Sequence, residues 1–422
     1  MQDFGKVISG TKYYMVGHKN IVVKVESLTS SLSGVGHIGN KAVFIEGVLP
    51  GEEVVLRDIS HKKNYCMAIA DEILSPSPFR RSPPCPLYNA CGGCNFMHCS
   101  YSGQLSLKEK ILRGLFQRVF KTDLLDSIDF SVVQTKELGY RNRARFHLME
   151  LNRETYVPGF QMRNSNEIIP VQNCPCLDSS INNILKNNKL SERINESLKT
   201  ATKKEIYGYK KDGIHVFGVS GANINGNSAQ NTWLESEAQK KVCLLLCKKI
   251  LRFDVRGFFQ SNIYGLERLI DDNFFFRGDS FLDFYSGCGT FSVFLEDSFK
   301  TGVLLEHNVK ALSMAKENLS NKNIEFIGFS DSKWCELPQS QRKFDLVVMD
   351  PPRSGLSEKV INWLIETKQP EICFISCNPV TLVRDFSVLI KTGGYRLKKG
   401  RLYDFYPQTG HMESFWILKH EN

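Results

Sequence analysis

The chain has 422 residues, 42% of them hydrophobic and 23% charged, more apolar material than one ordinary core uses and enough for roughly two or three. No run nears the ~18 apolar residues of a membrane span, and the start, MQDFGKVISG, lacks the basic and apolar stretches of a signal peptide, so a cytoplasmic protein without membrane contact is expected. A formal net charge of +9 favours a polyanionic partner, and thirteen cysteines in a reducing compartment point to metal binding, catalysis or burial rather than disulfides.

Residues 21–74 read as short alternating strands broken by turn residues: IVVKVESL, GVGHIGNKAVFIEGVLPGEEVVLRDIS and NYCMAIADEIL. That run suits a small barrel over 1–74, and the Pro-rich, basic stretch SPSPFRRSPPCP at 75–86 reads as a linker. CPLYNACGGCNFMHC then sets Cys85, Cys91 and Cys94 in a C-x5-C-x2-C array, whose short Gly92-Gly93 loop lets thiolates converge on one metal centre. A fourth thiolate is needed from elsewhere. Cys174, in IIPVQNCPCL, is the first candidate, with Cys176 and Cys99 as alternates; zinc and an iron-sulfur cluster both accept four thiolates. A helix is predicted over YSGQLSLKEKILRGLFQRVF, followed by β-like alternation around YRNRARFHLMEL. There Arg141, Arg143 and Arg145 alternate along one strand face; three guanidiniums so close suit an RNA backbone laid across them. The segment 75–250 is therefore expected to be a β-rich central domain.

After residue 250 apolar strands alternate with helices: SFLDFY, GVLLEH, IEFIGF, FDLVVMD and EICFIS. Such alternation predicts βαβ units and a doubly wound parallel sheet over 251–422. FLDFYSGCGTFSVFLE is a strand, a turn with Gly287 and Gly289, and then an expected helix, and Glu306 stands 19 positions after Gly287 at the close of the next strand. This arrangement brings backbone up to a nucleotide and offers a carboxylate to its ribose. The dinucleotide fingerprint lacks its third glycine, since Ser292 stands there, which argues against NAD. Asp331, after the third strand, is a candidate for the adenine edge, and Asp350-Pro351-Pro352 delivers a carboxylate on a stiff turn to the same crevice. EICFIS ends at Cys377, whose readings are a small buried hydrophobe, a metal ligand or a nucleophile. Successive parallel strand ends open on one face, so Asp350 and Cys377 should border one cavity. In the tail, Glu413 begins the last strand, either as a carboxylate aimed back at that cavity or as a surface group beside a hairpin.

The strings FFQSN, LDFYSGCGTFS, DPPRSGL, ISCNPVTLVRD and PQTGHMES, in this order, resemble the bacterial uracil-C5 RNA methyltransferases, and VFIEGVLPGEEV resembles the TRAM domain appended to RNA-modifying enzymes. The resemblance implies an α/β multidomain chain: a TRAM RNA-binding β-barrel, OB-like, over 1–74, a central iron-sulfur domain over 75–250 and a Rossmann-like S-adenosylmethionine (SAM) methyltransferase domain over 251–422. It implies SAM binding by Gln260, Tyr285, Glu306 and Asp350, to which the crevice reading adds Gly287, Gly289, Thr290 and Asp331 as candidates, with Cys377 as nucleophile and Glu413 as base. The chemistry explains that pair. Uracil C5 attacks a sulfonium methyl group only after a thiolate has added to C6, and a base must then remove the C5 proton so that sulfur can leave. Ser286 stands where many family members have cysteine. The resemblance also implies a [4Fe-4S] cluster on Cys85, Cys91, Cys94 and Cys174, with large-subunit ribosomal RNA as partner and a monomeric enzyme. The alternatives are transfer RNA, or an N-methyltransferase, for which an aromatic residue would be expected where Arg353 follows Asp-Pro-Pro.

Overall fold

The computed structural model describes residues 21–152, 155–186, 201–209, 213–220 and 241–421. Their contacts divide the chain into two compact units, one up to Pro78 and one from Phe79 onward that also takes in Ser30–Leu32. The division falls inside the Pro-rich stretch expected to be a linker. Among the described residues no helix is long and apolar enough to cross a membrane.

The first unit is a six-stranded sheet of β1 (Ile21–Lys24), β2 (Ser27–Leu28), β3 (Gly34–Ile38), β4 (Lys41–Glu46), β5 (Glu53–His61) and β6 (Tyr65–Ser75), ordered β1-β5-β6-β4-β3-β2. Strand β4 and the first half of β6 bury alternate residues, as a sheet with one wet face does, while β5 buries Val54, Val55 and Leu56 in a row. Val43 and Ile45 of β4 and Cys66 and Ala68 of β6 join Val23, Val25, Val54 and Leu56 in one core. Glu52 is fully buried there, and its carboxylate accepts the Leu49 and Ser77 N–H groups at 2.7 and 3.1 Å.

The second unit opens with α1 (Tyr101–Phe120), capped by Ser100, whose Oγ accepts the Gly103 N–H. One face of α1 buries Leu107, Ile111, Leu112 and Phe116, and also the polar Gln104 and Lys108. After β7 (Asp129–Val133), the strands β8 (Arg143–Asn152), β9 (Thr155–Gln161), β10 (Ile168–Pro170), β11 (Ala201–Tyr209) and β12 (Gly213–Ser220) form a five-stranded sheet. Helix α2 (Ser179–Leu185) lies between β10 and β11, and β13 (Lys241–Leu246) pairs with β14 (Lys249–Asp254) as a hairpin.

The large sheet has eight strands. β15 (Gly278–Phe284), β16 (Phe299–Leu305), β17 (Ile324–Ile327), β18 (Leu346–Met349) and β19 (Glu371–Ser376) are the five expected apolar runs, all parallel, in the order β17-β16-β15-β18-β19. All four residues of β18 are buried, as in a sheet covered on both faces. Helices α3 (Ile263–Asn273), α4 (Val309–Asn318), α5 (Asp331–Trp334), α6 (Glu358–Thr367) and α7 (Pro379–Lys391) connect or cover them. The tail folds back: β21 (Glu413–His420) runs antiparallel between β19 and β20 (Tyr395–Tyr403), and β7 closes the far edge parallel to β20. Two expectations change. β7, within the segment assigned to the central domain, is a strand of this sheet. The turn after β15 leads only to a short 3-10 stretch, Ser292–Phe294, because β16 already starts at Phe299 and leaves no room for a longer helix.

Candidate active site

The carboxyl ends of the parallel strands open into a cleft of about 960 Å³, lined among others by Gln260, Tyr285, Gly287, Thr290, Glu306, Asp331, Asp350, Cys377 and Glu413. The chain leaves β15 through Tyr285 at φ 69° and Gly287 at φ 56°, and both the Tyr285 and Ser286 N–H groups donate to the Leu305 carbonyl at 3.1 Å. The space beside Gly287 is open, so its backbone conformation, not crowding, calls for glycine. Gly289 packs instead of lining the cleft: a Cβ there would lie 2.8 Å from Leu319 Cδ1. The Glu306 carboxylate accepts the Gly287 N–H at 3.0 Å and the Asn308 N–H at 2.6 Å, tying the glycine turn to the end of β16. The Tyr285 hydroxyl donates to Asp331 Oδ2 at 2.8 Å; burial and the Asp331 charge hold its phenol well above the usual range. Asp331 is the first residue of α5, beyond the end of β17. Gln260 is buried, and its Oε1 accepts the Tyr406 hydroxyl at 3.3 Å.

Two acids lie deeper. Burial raises Asp350, which follows β18, to about 7. Asp283, fully buried within β15, is also raised to about 7, by burial first and then by Asp350 and Glu306, although its carboxylate accepts the Ser292 hydroxyl at 2.5 Å.

The strand register explains the meeting of Cys377 and Glu413. Ser376 of β19 pairs with Ser414 of β21, and the Ser414 hydroxyl donates to the Ser376 carbonyl at 3.1 Å, so the next positions, 377 and 413, leave the sheet side by side. Asn378 then caps α7 by accepting the Val380 N–H, and its Nδ2 donates to the Arg353 carbonyl at 2.8 Å, locking the Asp-Pro-Pro-Arg turn to the cysteine loop. Burial, then the charges of Glu413 and Asp350, push the Cys377 thiol up to about 12, while Arg353 opposes them. Burial, with Asp350 adding, puts Glu413 well above the carboxylate range. Glu413 is 1% exposed, and among the described residues its Oε1 has no hydrogen-bond partner. A desolvated carboxyl with a spare oxygen, beside a thiol and facing a cleft, is equipped to take a proton from a bound substrate. The cleft is lined by the carboxyl groups of Glu306, Asp331, Asp350 and Glu413, an acidic lining that suits a cationic ligand.

A second cavity of about 660 Å³ is lined by Cys85, Cys91, Cys94, Cys174 and Cys176, together with Arg141, Arg145 and Arg163. Cys94 and Cys176 approach to 3.7 Å between sulfurs, and hydrogen bonding to Cys176 lowers Cys174 to about 6. Cys99 does not line this cavity; it is buried under Gly103. Among the described residues no three side chains are drawn together closely enough to hold a metal as they stand. Arg141 and Arg145 face the cysteine cavity, whereas Arg143 donates to the Phe259 and Val255 carbonyls at 3.2 and 2.8 Å, bracing the segment that carries Gln260. Of the remaining cysteines, Cys66, Cys288 and Cys373 are buried as expected, while Cys243 is exposed. Tyr406 and Asp283 were not foreseen: one sits in an irregular loop, and the other reads as an ordinary strand residue.

The family model for tRNA (uracil-5-)-methyltransferase matches residues 272–421, and that for the TRAM domain matches 18–65. An uncharacterized RNA methyltransferase of Treponema denticola is 30% identical, covering 94% of this chain and 98% of its own. The 23S rRNA (uracil(1939)-C(5))-methyltransferase RlmD of Haemophilus influenzae strain Rd is 30% identical over 91% of this chain and 93% of its own. The crystal structure of the Pyrococcus abyssi tRNA (uracil-54, C5)-methyltransferase with S-adenosyl-L-homocysteine superposes with a TM-score of 0.71 at 22% identity, covering 94% of this chain and all of that one. With relatives this similar along nearly their whole length, and with a thiol and a carboxyl paired at the mouth of the cleft, the chain belongs to the TRAM-containing family of SAM-dependent RNA uracil-C5 methyltransferases.

Proposed function

We propose that this protein, acting as a monomer, methylates C5 of a uridine in 23S ribosomal RNA, with Cys377 as nucleophile and Glu413 as base. The Ser376–Ser414 register, which brings Cys377 and Glu413 to neighbouring positions at the end of β19 and the start of β21, together with a Glu413 oxygen that has no hydrogen-bond partner among the described residues, is the observation that carries the assignment. The Cys377 thiol gives its proton to solvent, an ionisation favoured by the Arg353 charge that opposes the raised pKa of Cys377, and the thiolate adds to C6 of the uracil as the C5–C6 π electrons make C5 an enolate carbon. SAM, when bound, supplies the electrophilic methyl group. Glu413 takes the C5 proton, and the ring expels the Cys377 sulfur as the C5–C6 double bond returns. Tyr285, Glu306 and Asp331 would hold the adenosine portion, Gln260 and Asp350 the reacting end, and the Gly287–Thr290 turn the backbone approach. The target base must leave its stack to reach Cys377, so single-stranded or remodelled RNA is the fitting substrate.

Ribosomal RNA is favoured over transfer RNA by the names of the full-length relatives at 30% identity. The five-cysteine cavity supports a [4Fe-4S] cluster on Cys85, Cys91, Cys94 and Cys174, with Cys176 adjacent and Arg141 and Arg145 offering charge to cluster and RNA alike. We assign 1–74 to RNA capture, 75–250 to the cluster and RNA positioning, and 251–422 to methyl transfer. Cys377→Ala assayed with methyl-labelled SAM and RNA should lose transfer by at least ~10³-fold; 5-methyluridine formed at the normal rate would remove the mechanism. Mapping the uridine left unmodified in a deletion strain distinguishes the two RNAs. Anaerobic purification should yield iron and sulfide, and zinc alone would overturn the cluster.

A further inference from the structure

Glu413 opens β21 and pairs with Tyr403 of β20, but the segment that leads into it, 404–412, has no regular secondary structure. What holds that segment comes from far away in sequence. Gln408 is fully buried and sits at φ 70°, a conformation that side-chain-bearing residues adopt at a cost unless their surroundings fix them. Its carbonyl accepts two backbone N–H groups, from Asn95 and Phe96, at 3.1 and 3.0 Å. Its own N–H donates to Gln104 Oε1 at 2.8 Å, and its Oε1 accepts from Gln104 Nε2 at 3.0 Å and from Arg81 at 3.1 Å. Its Nε2 donates to Glu137 at 3.2 Å. Two residues on, the Gly410 N–H donates to the Asn95 side chain at 3.0 Å. Asn95 directly follows Cys94, so the cysteine loop itself grips the segment that ends in the base.

We propose that Gln408 is a positioning residue for proton removal at C5: locked by Gln104 and the cysteine loop, it sets the Glu413 carboxyl against Cys377. The inference rests on Glu413 being the base. It separates two steps of the reaction, because sulfur addition at C6 needs Cys377 alone whereas release needs Glu413 in place. Gln408→Gly keeps the backbone conformation and removes only the side chain, which limits the danger of misfolding; Asn95→Ala, at an exposed position, removes only the bond to Gly410.

Both variants and Glu413→Gln are incubated with SAM and RNA, and the covalent protein–RNA adduct is read on a denaturing gel beside product formation and SAM affinity. Gln408→Gly should slow product release by ~10–100-fold, with adduct accumulating and SAM affinity within about twofold of the parent. Asn95→Ala should act in the same direction and more weakly, with faster hydrogen exchange over 404–413 and not over 278–306. Adduct and product falling together in Gln408→Gly, or both staying at parent levels, would overturn the proposal. If Glu413→Gln traps adduct and neither other variant does, this inference fails and the base stands; if Glu413→Gln traps none, both fall.

Discussion

Cys377 and Glu413 are opposite in chemistry and alike in environment: both are desolvated at the cleft, and burial raises the pKa of each. Each is legible in sequence because it stands at the end of a strand within a motif, Cys377 just after β19 and Glu413 at the start of β21. Gln408 was not, although its string was in view, since its importance lies in a left-handed backbone and in partners about 300 residues away. The buried acids make a pH prediction. Asp283 and Asp350 hold a proton up to about 7 in the folded chain against 3.8 when unfolded. Between these values the native state binds more protons than the unfolded one, so raising pH from about 4 to 7 destabilises the ligand-free protein. Melting temperature should fall by several degrees between pH 5 and 8, and Asp283→Asn should flatten that slope in differential scanning fluorimetry.

The elements that make up the sheet were legible to different degrees. The five parallel strands are short, largely apolar runs separated by helical patterns, and all appear where expected. The insertion of β21 between β19 and β20, and the recruitment of β7, are long-range pairings that no local pattern announces. Helix α1 looked like a plain amphipathic helix, yet its apolar face carries Lys108, whose ammonium meets Asp404 at 2.6 Å with both side chains 1% exposed, and also donates to the Tyr406 carbonyl at 3.2 Å. This ion pair pins the start of the base loop to α1. Removing one partner strands the other charge in the interior: Lys108→Met should cost about 3–5 kcal/mol by chemical denaturation, and adding Asp404→Leu should return most of it.

For the molecule as a whole, composition anticipated more than one core, and the contact boundary after Pro78 agrees with the reading of 75–86 as a linker. Net charge named a class of partner but no surface, and it said nothing of the bonds from Arg143 to the Phe259 and Val255 carbonyls. Since each unit has its own core, a fragment of 79–422 should bind SAM like the full chain while losing at least ~10-fold in RNA affinity, measured by calorimetry and filter binding at fixed salt. Strand β7 carries one more implication, for synthesis. Among the described residues its one neighbour in the sheet is β20, translated some 270 positions later, and the strand bearing Glu413 is later still. At ~5–20 residues per second, the early strand waits tens of seconds on the ribosome for its companion, and the eight-stranded sheet stays incomplete until β21 has been made.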